Sequence, residues 1–213
     1  MFFFLKTSSG TITSSIKTNT NDKKISSQLH TEGLKLYNQR KYKEAIEIWL
    51  KELKLDPSNA NTMNNIGISY KDMGDYITAI KYHKKAIKLN PKFGHAYYSI
   101  GLAYMLNKNY KDAIDSFCKS IELNYRPGVS YYNLGLAYQN LYNFEKAALA
   151  FTKAIERGYF QNGECYFALG QSSFMLNKYD KCLEAMKKAE NMNPNLEGVH
   201  YYKGLCYKNK GFC

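Results

Sequence analysis

The 213-residue chain has no apolar run near the roughly 18 residues that a membrane-spanning helix requires, so no transmembrane segment is expected. Its opening, MFFFLK, offers only four apolar residues, Phe2 to Leu5. No basic residue precedes them and no clear small-residue cleavage pattern follows, which is too little for a secretory signal. A signal that has lost its front end stays open as the alternative. The five cysteines (Cys118, Cys165, Cys182, Cys206, Cys213) are odd in number, form no CxxC and have no histidine at metal-ligand spacing. They read as buried or incidental thiols of a reducing compartment, so a cytoplasmic location is expected, and neither a metal nor a cofactor.

Catalytic motifs are missing as well. The chain has no GxxxxGK[ST], HExxH or GxSxG. Its four histidines (His30, His83, His95, His200) stand far apart, none beside a nucleophile or a carboxylate cluster. No catalytic residue is expected, and the chain reads as a non-enzyme. Arginine is scarce too: Arg40, Arg126 and Arg157 stand against 27 lysines.

Repetition is abundant. A hydrophobic content of 45% excludes a wholly disordered chain, and YYSIGLAY at 97–104 returns as YYNLGLAY at 131–138. The glycine of that phrase belongs to a column, Gly33, Gly67, Gly101, Gly135, Gly170 and Gly204, with a step of 34 residues except for one step of 35. Twelve positions after the glycine comes a small residue (Ala45, Ala79, Ala113, Ala147, Cys182), and sixteen after it a bulky one (Trp49, His83, Phe117, Phe151, Met186). Twenty-four after it lies Pro57, Pro91 or Pro194, replaced in the third and fourth units by Tyr125 and Tyr159. Glycine and the small residue let two helices approach, the bulky residue fills the space beside them, and an X-Pro step ends the second helix. Each unit therefore reads as helix, turn, helix. Tyr97, Ile100, Gly101 and Tyr104 share one buried face.

These columns resemble the tetratricopeptide repeat. The resemblance covers residues 26–213 and implies an all-α, right-handed superhelical solenoid whose first helices line a concave groove. Five full units are expected at 26–59, 60–93, 94–127, 128–162 and 163–196, followed by a single cap helix at 197–213. Residues 1–25, rich in Ser, Thr, Asn and Lys, read as a flexible lead-in. The spacing and the Gly, Tyr, Ala and Pro columns argue against the pentatricopeptide RNA binders. Glu32 and Lys203 replace the apolar residues Ile66, Ile100, Leu134 and Leu169 of the internal units, as expected where a stack stops.

The net charge of +12 is uneven, concentrated in the lead-in and the second unit. In that unit Lys81, Lys84, Lys85 and Lys88 follow i, i+3, i+4, i+7 on the second helix, a face the resemblance places on the convex side. A solvated outer face is the favoured reading. An anion or nucleic-acid site is the alternative, weakened by the shortage of arginine.

The column one residue after the packing tyrosines reads His30, Asn64, Tyr98, Tyr132, Phe167 and Tyr201, and the column four residues on reads Leu34, Ile68, Leu102, Leu136, Gln171 and Leu205. The resemblance puts both in the groove, with Asn65, Asn133 and Gln139 as nearby amides, while Tyr131 and Tyr166 belong to the packing seam. The expected function is a protein-interaction scaffold that binds a partner peptide or helix. The chaperone-tail clamp of the family is not expected, because of the matching positions His30, Leu34, Asn65, His95 and Ser99 only Asn65 agrees. Asn65 and Asn133 also resemble the groove asparagines of the repeat arm of protein O-GlcNAc transferase, so a detached arm of a modifying enzyme is a further alternative.

Overall fold

A computed structural model describes residues 20–159 and 163–211 of the chain. Among the described residues there are eleven α-helices and no strand. They run α1 (Thr20–Asn38), α2 (Tyr42–Leu55), α3 (Ala60–Asp72), α4 (Tyr76–Leu89), α5 (Gly94–Leu106) and α6 (Tyr110–Glu122). The second half continues with α7 (Pro127–Asn140), α8 (Phe144–Glu156), α9 (Glu164–Met175), α10 (Tyr179–Met192) and α11 (Val199–Asn209). Consecutive helices pair, and each pair packs on the next.

The pairing follows from the columns. A Cβ built on Gly33, Gly67, Gly101, Gly135 or Gly170 would fall within 2.8 Å of Trp49, His83, Phe117, Phe151 or Met186 respectively. Hydrogen in place of a side chain is what lets each bulky residue lie across the first helix of its own unit. Ala45, Ala79, Ala113, Ala147 and Cys182 are fully buried beside them. Gly204 keeps the glycine but has nothing within 4 Å, since α11 has no following helix among the described residues.

The turn inside each unit needs one residue with a left-handed backbone: Arg40, Gly74, Lys108, Tyr142 and Asn177, with φ between 56° and 85°. The next residue's N–H then reaches back five positions, as Lys41 N to Leu36 O at 3.0 Å and Asn143 N to Tyr138 O at 2.9 Å. This closure satisfies carbonyls at the end of the first helix. Only the second unit supplies glycine for it.

Second helices end in two ways. Asp56, Asn90 and Asn193 precede proline and stop the helix in an extended conformation. In units three and four Asn124 and Gly158 turn left-handed instead, and Tyr125 N and Tyr159 N each donate at 2.9 Å to Ser120 O and Ala154 O. Proline has no N–H to give, which is why the column loses it there.

One boundary differs from the expectation. Helix α1 begins at Thr20, so residues 20–25 are helical rather than part of a flexible lead-in. Extending an existing helix adds a hydrogen bond for each residue fixed, without the cost of a new nucleus, and Asp22 suits the positive end of the helix dipole. Residues 1–19 of the lead-in lie outside the described residues.

Candidate partner-binding face

The first helices touch one another along the stack, α3 with α5, α5 with α7, α7 with α9 and α9 with α11, whereas no two second helices pack to a comparable extent. The first helices therefore line the inner side of the curve. Charge avoids the first helices of units three to five: α5 and α7 contain no Asp, Glu, Lys or Arg, and α9 contains only Glu164.

The ladder aromatics Tyr98, Tyr132 and Phe167 of these helices are half-buried and already engaged. Tyr98 packs against Phe117 and Tyr125, with ring centroids 6.0 and 5.9 Å away. Tyr132 packs against Phe151 at 5.8 Å and Tyr159 at 4.9 Å. Phe167 meets Tyr202 edge-on at 5.8 Å. The tyrosines that replace the unit-ending proline thus lie against the first-helix aromatics, and Tyr125 also stacks on His95 at 5.0 Å. Burial, with Glu164 as a lesser cause, pushes the Tyr132 phenol up to about 12. Burial does not separate Tyr132 and Phe167, expected in the groove, from Tyr131 and Tyr166, expected in the seam. All four are half-buried, the latter two lying under the ammonium groups of Lys153 and Lys188.

Asn64 is a second correction. It is fully buried, and its Oδ1 accepts from His83 Nδ1 at 2.8 Å, so no partner reaches it. Asn133 Nδ2 donates to Val129 O at 2.9 Å and to the Tyr98 hydroxyl at 3.4 Å. Gln139 Nε2 bridges to Ala168 O and Ser172 Oγ on α9, and Gln171 Nε2 reaches the Tyr202 hydroxyl at 3.4 Å. These amides lace adjacent first helices together with their donor groups. Asn65, Ile68, Leu102 and Leu136 are partly exposed, and Tyr201 on α11 is 66% exposed.

Two residues of this face are absent from the expected set. Leu106 and Met175 are each 51% exposed, and each lies one helical turn beyond Leu102 or Gln171. The same four-residue step that links the two expected columns reaches them. Arg126, beside Tyr98, was hidden for a different reason: it belongs to a loop, where helical periodicity is silent.

The first unit departs from this pattern. Where Tyr98 and Tyr125 fill unit three, unit one has His30 and Pro57 and leaves a polar cleft of about 650 Å3 between α1, α2 and the start of α3. At its base Glu52, 1% exposed, stands in the column that elsewhere holds Ala86, Ser120, Ala154 and Ala189. Its carboxylate accepts from His30 Nδ1 at 3.1 Å and from Asn59 Nδ2 at 2.9 Å. The hydrogen bond His30 donates to Glu52 raises the His30 ring above its ordinary titration range, against the opposing effect of burial.

The basic residues Lys81, Lys84, Lys85 and Lys88 are all exposed on α4, a second helix. Lys84 borders a cleft that also holds Asp112 and Asp115, and Lys85 lies 4.7 Å over the Tyr82 ring. Of the cysteines, Cys165, Cys182 and Cys206 are buried free thiols and Cys118 is half-buried, while Cys213 lies outside the described residues. Burial pushes the Cys165 thiol up to about 12. No group of His, Cys, Asp and Glu among the described residues could hold a metal ion, and no described helix is long and apolar enough to cross a membrane.

A stack of consecutive helix pairs, each packed on the next, defines a helical-repeat scaffold. The tetratricopeptide repeat pattern matches residues 60–93, 94–126, 129–157 and 163–196. Among solved structures, MamA is 30% identical, over 76% of this chain and 94% of that one, with a TM-score of 0.71. PilF of Pseudomonas aeruginosa is 13% identical over 90% and 87% of the two chains, with a TM-score of 0.77. YrrB, described as a TPR protein with an unusual peptide-binding site, is 22% identical over 77% and 84%, with a TM-score of 0.70. The last two likenesses are of fold alone. No curated protein matches the chain. The chain belongs to the tetratricopeptide repeat family, and its fold is that of a protein-interaction scaffold.

Proposed function

We propose that the chain is a non-catalytic scaffold that seats an apolar segment of a partner protein on the first-helix face of units three to five. The observation that carries this reading is the run of Leu102, Leu106, Leu136 and Met175, partly or half exposed on helices that carry almost no charge. Apolar side chains open to water on an uncharged face gain by being covered. The ladder aromatics serve mainly as the wall beneath, and Asn65 offers an amide to a partner backbone. The convex lysine stripe is the weaker site, because in the cleft beside Lys84 the charges of Asp112 and Asp115 offset those of Lys84 and Lys119.

The test is affinity capture from the native source with identification of the bound proteins. Leu106→Glu with Met175→Glu is expected to lose the principal partner while the helical circular dichroism is kept. Replacing Lys81, Lys84, Lys85 and Lys88 together by Glu is expected to retain it. The reverse pattern would transfer the site to the convex face.

A further inference from the structure

The geometry points to a partner segment that places a carboxylate side chain on Arg126 while its apolar neighbours cover Leu102 and Leu136. This deepens the groove reading and rests on it. Arg126 lies between α6 and α7, exposed, with its guanidinium carbon 5.9 Å from the centre of the Tyr98 ring. The ring is itself fixed, by Phe117 and Tyr125 at its sides and by the amide of Asn133 at its hydroxyl. Lysines over other rings, such as Lys153 over Tyr131 and Lys188 over Tyr166, come from the second helices; Arg126 stands on the inner side. Its charge bears on His95, Tyr98 and Tyr159. Among the described residues no carboxylate forms an ion pair with it.

Arg126 has φ 43° and ψ 54°, in the left-handed region, and Pro127 follows it. Glycine or asparagine takes that conformation at lower cost, and a residue before proline is pushed away from it further. Gly163 and Gly198 take the left-handed conformation at the N-caps of α9 and α11, so an arginine at this place carries a backbone cost that glycine avoids.

Charge complementarity selects the occupant. Helices α5 and α7 carry no formal charge, so Arg126 is the cation that a segment crossing them meets, with Glu164 one unit further along beside Tyr159 and Tyr132. A guanidinium held beside Tyr98 and exposed to solvent keeps N–H donors that can take a carboxylate in two parallel hydrogen bonds. One fork without a second cation suits a single negative charge better than a dianionic phosphate.

The experiment selects binders of the full chain from a displayed library of short random peptides. Each is then retested on wild type, on Leu106→Glu/Met175→Glu and on Arg126→Asn, which keeps a residue suited to the left-handed backbone. Groove-dependent peptides are expected to contain Asp or Glu. Changing that residue to its amide should weaken binding about tenfold on wild type and hardly at all on Arg126→Asn. The melting temperature of Arg126→Asn should be equal to or above that of wild type. Groove-dependent peptides that lack an acid, that lose equally on both chains, or that gain strongly from phosphoserine in its place would overturn the carboxylate assignment and leave the groove reading intact. A selection whose binders ignore Leu106→Glu/Met175→Glu, or that yields no binder, counts against both.

Discussion

His83 donates from Nδ1 to Asn64 Oδ1 at 2.8 Å across the second unit, with both side chains fully buried and with His83 Nε2 and Asn64 Nδ2 left without partners among the described residues. Burial, then the charges of Lys71 and His95, hold the ring down to about 3 from an ordinary 6.5. Between those values the unfolded chain binds a proton that the folded chain refuses, so stability falls as the pH drops from 6.5 toward 3. His83→Phe with Asn64→Tyr transplants the Phe117 and Tyr98 pair of unit three. It removes both orphaned groups, and thermal melts should then show a weaker loss of stability over that pH range. An unchanged slope would mean that other groups carry the acid sensitivity.

The first unit is expected to respond in the opposite sense. His30 donates a hydrogen bond to Glu52 and titrates above 6.5, so the stability it contributes is fully present below 6.5 and is lost as the pH rises through the raised value. His30→Gln should flatten that part of the profile in melts taken from mildly acid to mildly alkaline buffer. With Glu52 1% exposed, His30→Leu should be the more damaging change, since it removes the partner of a buried carboxylate.

These two pairs also mark how far the chain can be read without its structure. The glycine, alanine and bulky columns disclose the helix pairs because the seam repeats in every unit. Asn64 and Tyr98 share a column, yet one is sealed in and the other is half-open. The difference lies in the neighbouring column, where His83 takes the amide as its partner and Phe117 cannot. Tyr125 and Tyr159 are visible only as missing prolines. That they lie against Tyr98 and Tyr132 depends on a left-handed step before them, which no periodic pattern records. Leu106 and Met175 lie one helical turn past Leu102 and Gln171, where the four-residue step of the pattern itself reaches them.

The turns offer a third prediction. Lys108 and Tyr142 hold φ of 61° and 56°, where an L side chain costs about 1 to 2 kcal/mol. Tyr142 is 79% exposed and loses little packing when removed. Lys108→Gly and Tyr142→Gly should each stabilise by up to about 1 kcal/mol, a rise of roughly 2 to 4 °C in melting temperature for a chain of this size. Gly74→Ala, in the equivalent turn, should shift it downward by a similar amount. A fall on introducing either glycine would show that the side chain contributes more than the strain removes.

Restoring the family's proline supplies the sharpest test of the helix endings. The column holds Pro57, Pro91 and Pro194 elsewhere, so Tyr159→Pro looks like a repair of the fourth unit. Three features of the structure oppose it. Tyr159 N donates to Ala154 O at 2.9 Å, a bond that proline cannot make. Gly158 precedes it with φ 82°, and a following proline disfavours the helical regions of either hand. The Tyr159 ring lies 4.9 Å from Tyr132 and would be lost with it. Tyr159→Pro should therefore cost about 3 kcal/mol or more, whereas Tyr159→Phe, which keeps the N–H and the ring, should cost little. Pro91→Ala, at an ending where Asn90 already closes onto Ala86 O at 2.9 Å, should be mild by comparison. Urea melts of the three variants would decide the matter. If Tyr159→Pro melts with wild type, the two kinds of ending are interchangeable and the tyrosines stand in the column for another reason.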